Sequence, residues 1–170
     1  MRKEHFSEGA FVEENGHRAL DRVDRRILDL LQREGALSVA EVASRTALST
    51  TTCWRRIQHL EQSGVIRGRV ALLDRSALGL DVTIFAHVKL STQGRDAIAA
   101  FAEAIRERPE VLDCYTTMGE WDFMLRVVTR DIKAYEAFYL DHLSKLPNVQ
   151  SIKSSVTVTV IKETTVLPIE

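Results

Sequence analysis

The first third of the chain places its apolar residues at helical spacing. Leu20, Val23, Ile27, Leu30 and Leu31 share one face at 3.6 residues per turn. This predicts a helix over residues 22–34, capped by Asp21 and ended by Gly35. Ser38 followed by Glu41 is a capping box, and Val39, Val42 and Ala43 give the next helix a small apolar side. Thr46-Ala47-Leu48 is short enough only for a turn. Ser49 then caps a third helix running to about residue 63, where Gly64 ends it. Two short helices joined by a tight turn are the helix-turn-helix layout, whose second helix enters the DNA major groove.

In that helix Cys53, Ile57 and Leu60 fall at i, i+4 and i+7 and point to the core, with Trp54 on their flank. The opposite side carries Thr51, Thr52, Arg55, Gln58, His59 and Gln62, and Arg56 lies between the two faces. Thr, Gln and Arg reach base edges or phosphates, and Arg grips guanine with two hydrogen bonds. A plain solvated amphipathic helix has the same pattern. The short preceding helix, the tight turn and the adjacent arginines favour DNA, with Ser49, Thr51, Thr52, Arg55, Arg56 and His59 as candidate contacts. The run VIRGRVALL that follows reads as extended, with Arg67 and Arg69 on one side of it, turned to phosphates or to solvent.

The second half has another rhythm. Residues 82–90 are β-rich, and residues 95–108 place Ile98, Phe101, Ala102 and Ile105 at helical spacing before Pro109. Residues 111–118 and 123–128 read as strands about the turn Gly119-Glu120-Trp121-Asp122. Asp131 caps a helix reaching residue 145, and residues 149–161 alternate as a last strand. The expected fold is α+β: an N-terminal (winged) helix-turn-helix followed by a ferredoxin-like βαββαβ domain, with both helices on one face of an antiparallel sheet. The other face stays bare unless a second copy covers it, which points to a homodimer. The expected divisions are a flexible tail over 1–19, the DNA-binding domain over 20–68, a linker strand over 69–81, the ferredoxin-like dimerisation domain over 82–162, and a C-terminal tail over 163–170.

Net charge is −1, but it is unevenly spread. Residues 20–75 hold ten arginines against seven carboxylates, a net of +3, and the remainder holds a net of −4. Arginine suits phosphate because its planar fork forms paired hydrogen bonds. A surplus of three binds DNA weakly in a single copy, so sequence-specific binding calls for two or more copies on neighbouring half-sites. The two cysteines, Cys53 and Cys114, form neither a disulfide framework nor a zinc pattern, and Cys53 reads as a core residue. No apolar run has the length of a membrane span and no secretory signal is evident, so a cytoplasmic protein is expected. No P-loop, GxGxxG, metal cluster or nucleophile–base pair points to an enzyme or a cofactor.

The segments LDRVDRRILDLLQREG at 20–35, LSTTTCWRRIQHLEQSGVIRG at 48–68 and GEWDF at 119–123, in this order and spacing, resemble the Lrp/AsnC family of amino-acid-responsive regulators. Leu20-Asp21, Ser49, Arg56, Leu60-Glu61 and Gly64-Val65-Ile66 occupy the family's positions, as do Gly119, Glu120 and Asp122 in its hairpin. Threonine stands at 50 and 52 where many members carry proline. The threonines before Cys53-Trp54, the VALLD segment and the TTVLPIE ending are similar to a proteobacterial branch with sulfur-amino-acid, chiefly cysteine, responders. The resemblance implies a double-stranded-DNA-binding regulator that senses an amino acid through its C-terminal domain, as a dimer assembling to tetramers or octamers.

A free amino acid presents an ammonium, which seeks carboxylates, and a carboxylate, which seeks N–H groups and hydroxyls. Glu120 and Asp122 supply anions, Gly119 allows close approach to backbone, and Tyr115, Thr117, Ser155 and Thr157 supply hydroxyls. Each hydroxyl taken singly is ordinary strand filler, and Asp122 serves equally well to stabilise the hairpin. Two other readings are kept open. An enzyme would use Glu120 and Asp122 as an acid–base pair with His87 or His142 nearby, and an architectural DNA-binding protein would have no effector.

Overall fold

The computed structural model describes residues 20–92 and 94–169, so the expected tail over 1–19 lies outside the described residues. These fall into two compact units. One comprises the residues up to Ala71 together with the segment from Thr164, and the other is Leu72–Glu163.

The first unit is built on three helices, α1 (Arg22–Arg33), α2 (Val39–Thr46) and α3 (Thr50–Gln62). Asp21 starts α1 by accepting from the Val23 and Asp24 N–H groups at 2.9 and 2.8 Å, while the Asp24 carboxylate accepts from the Asp21 N–H at 3.3 Å. Ser38 and Glu41 form the same reciprocal box at α2. Ala47 closes α2 with φ of 55°, and the Leu48 N–H returns to the Ala43 carbonyl at 2.9 Å. A side chain with a Cβ in this left-handed region costs about 1–2 kcal/mol, held here by the packing of Leu48 and Ala43 on either side of the turn. Ile27, Val42, Cys53, Ile57 and Leu60 are almost fully buried and knit the three helices together. Each of the larger ones contributes roughly 1.5–3 kcal/mol.

The second unit follows the order β1 (Val82–Leu90), α4 (Arg95–Arg106), β2 (Val111–Thr116), β3 (Phe123–Thr129), α5 (Ile132–Asp141), a short 3-10 turn (Leu143–Lys145) and β4 (Val149–Val156). The strands lie in the order β2-β3-β1-β4, and every neighbouring pair is antiparallel. This is the ferredoxin-like arrangement. Ile84, Ala86, Val88 and Leu90 alternate onto the face covered by Phe101, Ile105, Tyr135, Phe138 and Leu143. Phe101 and Phe123 stack there with centroids 4.3 Å apart. The other face carries Phe85, His87, Met124 and Arg126 with Tyr115, Lys153 and Ser155, by the register of the pairs.

Two expectations need correction. The last strand stops at Val156 rather than 161, because its partner β1 begins at Val82 and offers no ladder beyond the Thr157 N–H bond to the Thr83 carbonyl. The segment over 69–81 is not a strand. Residues 67–74 have no regular structure and pair with no strand among the described residues, and residues 75–79 turn, with the Gly79 and Leu80 N–H groups bonding back to Ser76 and Arg75. Among the described residues no helix is long and apolar enough to cross a membrane, and no group of acidic, histidine or cysteine side chains is placed to hold a metal.

Candidate functional site

On α3 the buried stripe of Cys53, Ile57 and Leu60 turns Thr51, Arg55, His59 and Gln62 outward. Arg55 and His59 are exposed and make no hydrogen bond or ion pair among the described residues. Ser49 holds the start of the helix: its Oγ accepts from the Thr52 N–H at 3.2 Å and donates to the Thr52 hydroxyl at 2.8 Å. Trp54 flanks this face and is 53% exposed. Below it, Gln58 Nε2 donates to Glu61, and Arg69 reaches the other oxygen of the same carboxylate at 3.5 Å. Arg67 stays exposed.

Arg56, a candidate contact lying between the two faces, is engaged within the module. Its Nη1 donates to Asp21 Oδ2 and to Asp24 Oδ1, each at 2.7 Å. The guanidinium therefore ties α3 to the capping box of α1 instead of facing outward. The Asp24 N–H and then Arg56 hold the Asp21 carboxyl down at about 2. The two carboxylates in turn push the guanidinium pKa up. At 140° from Thr51 around the helix, residue 56 meets α1 before it meets solvent.

The hairpin between β2 and β3 is closed largely by its own polar groups. The Thr117 N–H bonds the Asp122 carbonyl at 2.9 Å, and the Thr117 hydroxyl donates to the Trp121 carbonyl at 2.6 Å. The Asp122 N–H bonds the Val88 carbonyl at 2.9 Å, Asp122 Oδ2 accepts from the Leu90 N–H at 2.7 Å, and Lys89 Nζ lies 3.5 Å from Oδ1. Gly119 sits at φ of 135°, where a side chain is strained. Asp122, expected to meet a ligand ammonium, thus clamps the hairpin to the end of β1. Glu120 and Tyr115 remain exposed. Trp121 leans on His87 with ring centroids 6.1 Å apart, and His87 Nδ1 is buried with no partner among the described residues.

Ser155 and Thr157 are not brought to the hairpin. Ser155 pairs with Phe85, and Thr157 bonds the Thr83 carbonyl through both its N–H and its hydroxyl, at 2.9 and 3.0 Å. Asp122 is bound at Leu90, the other end of β1. At 3.4 Å per residue this separates the groups by roughly 17–24 Å along the strand. The cause is the antiparallel pairing of β4 with β1, which carries the end of β4 away from the turn.

One charged cluster escaped the sequence reading. Arg126 is half-buried on the bare sheet face, bonded through Nε to Asp113 and through Nη1 to Glu163 at 2.9 Å. Glu163 also binds Arg75 at 2.8 Å, and Arg75 donates to the Thr83 hydroxyl. The signal was there: an arginine in the middle of the apolar strand FMLRVV.

Residues 83–167 match the Lrp/AsnC ligand binding domain, and residues 20–67 match a winged helix-turn-helix DNA-binding domain. The chain belongs to the Lrp/AsnC family. It is 38% identical over 151 residues to the DNA-binding transcriptional activator DecR of Escherichia coli, covering 89% of this chain and 99% of that protein. A transcriptional regulator from Neisseria meningitidis, solved in complex with L-methionine, is similar at a TM-score of 0.83 and 38% identity, over 88% of this chain and 96% of the other. An AsnC family regulator from Agrobacterium tumefaciens reaches 0.83 and 43%, over 87% and 96%. The fold is that of the Lrp/AsnC regulators, and the chain is a DNA-binding transcriptional regulator of that family.

Proposed function

We propose that this regulator reads DNA with the outer face of α3 and senses an amino acid through its ligand-binding domain, without turning it over. Arg55 is the base-reading residue, with Thr51 and His59 beside it. Ser49 and Thr52 set the start of the helix, and Arg56 supports it from behind. The observation that carries this reading is the exposed, unengaged Arg55 at the centre of the face opposite the core stripe.

The effector is proposed to be a small amino acid held near the hairpin 117–122, with Glu120 as the ammonium partner, since Asp122 already serves the Leu90 N–H. The relative bound to L-methionine supports trying sulfur-containing amino acids first. Two groups of candidate residues lie at opposite ends of one sheet, so a single site joining them needs more than one copy. A dimer through the bare sheet face, assembling further to tetramers or octamers, suits that requirement.

The test is a thermal-shift screen of the full chain against the twenty L-amino acids, followed by DNA binding with and without each hit. A ligand that binds the folded protein alone raises its apparent stability. A shift with one or a few amino acids that also changes DNA affinity is the expected result. No shift with any of them, together with unimpaired DNA binding, would leave an architectural DNA-binding protein.

A further inference from the structure

Gln32 lies on α1, near its C-terminal end, and is engaged by the far end of the chain. Its Nε2 donates to the Leu167 carbonyl at 3.0 Å, and its Oε1 accepts from the Leu167 N–H at 2.8 Å. Nε2 also donates to Asp29 Oδ1 at 3.1 Å. A carboxylate only accepts hydrogen bonds, so Asp29 fixes which way the amide points. With the nitrogen facing Asp29 and the Leu167 carbonyl, the oxygen must face the Leu167 N–H. The side chain thus mimics a backbone strand partner for one residue of the tail.

The apolar contacts agree. Ile169 is half-buried against the helical core. Leu167 and Ile169 form one wall of a groove of about 750 Å³ whose other walls are Leu20, Leu28 and Leu31 of the α1 region and residues 65–70. The Leu167 side chain is 70% exposed, so its backbone makes the polar contact while Ile169 makes the apolar one. Pro168 between them is restricted in φ and has no N–H that would need a partner. Just before this segment, Glu163 is bonded to Arg75 and Arg126 of the other unit.

We propose that residues 166–169 are an intramolecular strap, seated on α1 by Gln32 and Ile169, that completes the DNA-binding module and joins it to the end of the ligand-binding domain by a second covalent route. The occupant of this surface is the tail of the same chain.

The proposal is tested on the 170-residue chain by hydrogen exchange and by cross-linking. A chain truncated after Glu163 should exchange its α1 amides and those of residues 65–70 at least about tenfold faster, with β1 and β3 unchanged. A synthetic peptide of residues 162–170, added at millimolar concentration, should restore protection saturably. Gln32→Glu keeps size and helix propensity but sets an acceptor against Asp29 and the Leu167 carbonyl. It should expose α1 more than Gln32→Ala does, and by a larger margin in the full chain than in the chain truncated after Glu163, which keeps the repulsion from Asp29 but has no strap; an equal margin in both would mean that residue 32 holds no strap. Replacing Leu167 by the photoreactive p-benzoylphenylalanine keeps the backbone bonds, and irradiation should give a monomer-sized product joined to α1 or to residues 65–70. Unchanged exchange after truncation overturns the proposal. A dimer-sized product overturns it in a different way, by assigning the groove to the tail of a second copy.

Discussion

The proposed recognition helix and the proposed effector hairpin both carry the polar residues that those roles call for, but they use them differently. On α3 the outward residues Arg55 and His59 have no partner among the described residues, whereas the inward-leaning Arg56 is bonded to Asp21 and Asp24. In the hairpin the reverse holds: Thr117 and Asp122 close the turn, and Glu120 is the acidic group left outward. A helix satisfies its own backbone, so its outer side chains stay available. A turn leaves N–H and carbonyl groups unpaired and draws nearby side chains in to meet them. Residue type shows what a side chain can bind. Whether it is available depends on the backbone around it.

The sharpest test of this contrast is Arg55→Ala. It should weaken binding to a selected operator by about 10- to 100-fold and relax preference at one or two base pairs, as a lost bidentate contact costs about 1–3 kcal/mol. Electrophoretic mobility shifts on matched and single-mismatch duplexes measure it. Equal loss on operator and random DNA would mean that Arg55 touches phosphate only.

Arg56→Ala should act on stability first. It leaves Asp21 and Asp24 facing each other without a cation, so the DNA-binding module should melt several degrees lower. Any loss of DNA affinity should shrink on cooling. The same cluster has a pH signature. The Asp21 carboxyl titrates at about 2 in the fold against an ordinary 3.8, so its contribution is complete above the ordinary value and is lost as pH falls through about 2. Asp21→Asn should flatten that part of an acid-unfolding curve. An unchanged curve would mean the carboxylate is not held by Arg56.

In the hairpin, Asp122→Ala removes a charged acceptor from the Leu90 N–H and should cost about 1–2 kcal/mol in stability of the ligand-binding domain. Glu120→Gln should leave the unfolding free energy within about 0.5 kcal/mol of wild type, the usual range for surface changes, while weakening the response to an effector. If Asp122→Ala is as stable as the parent and Glu120→Gln responds normally, the division of labour drawn here is reversed. A small effect of opposite sign belongs to Ala47→Gly, which relieves the left-handed strain in the turn before α3 and should stabilise the module by about 1 kcal/mol or less in chemical denaturation.

The sequence showed where the helices and strands are more readily than where they end. The capping residues Asp21, Ser38, Ser49 and Asp131 each cap a helix in the structure, because caps are local chemistry. The end of β4 was not legible: residues 157–161 keep the alternating pattern, but β1 has already run out. The same limit applied to the residues expected to hold an effector. Ser155 and Thr157 have suitable hydroxyls, yet pairing register, a long-range property, takes them to the far end of the sheet. Gln32 and Leu167 stand 135 positions apart, and no local pattern links them.

Arg126 brings its own counter-ions to the bare sheet face. A lone arginine there would have to give up its water when that face is covered, and would demand an acid from whatever covers it. With Asp113 and Glu163 bonded to it, and Arg75 bonded in turn to Glu163, two arginines balance two carboxylates, and the desolvated cluster makes no such demand. Burial of this face should therefore depend little on ionic strength, whereas DNA binding, which releases counterions, should weaken steeply with salt. Titrating salt would peel the protein from DNA while leaving the dimer proposed through this face in place.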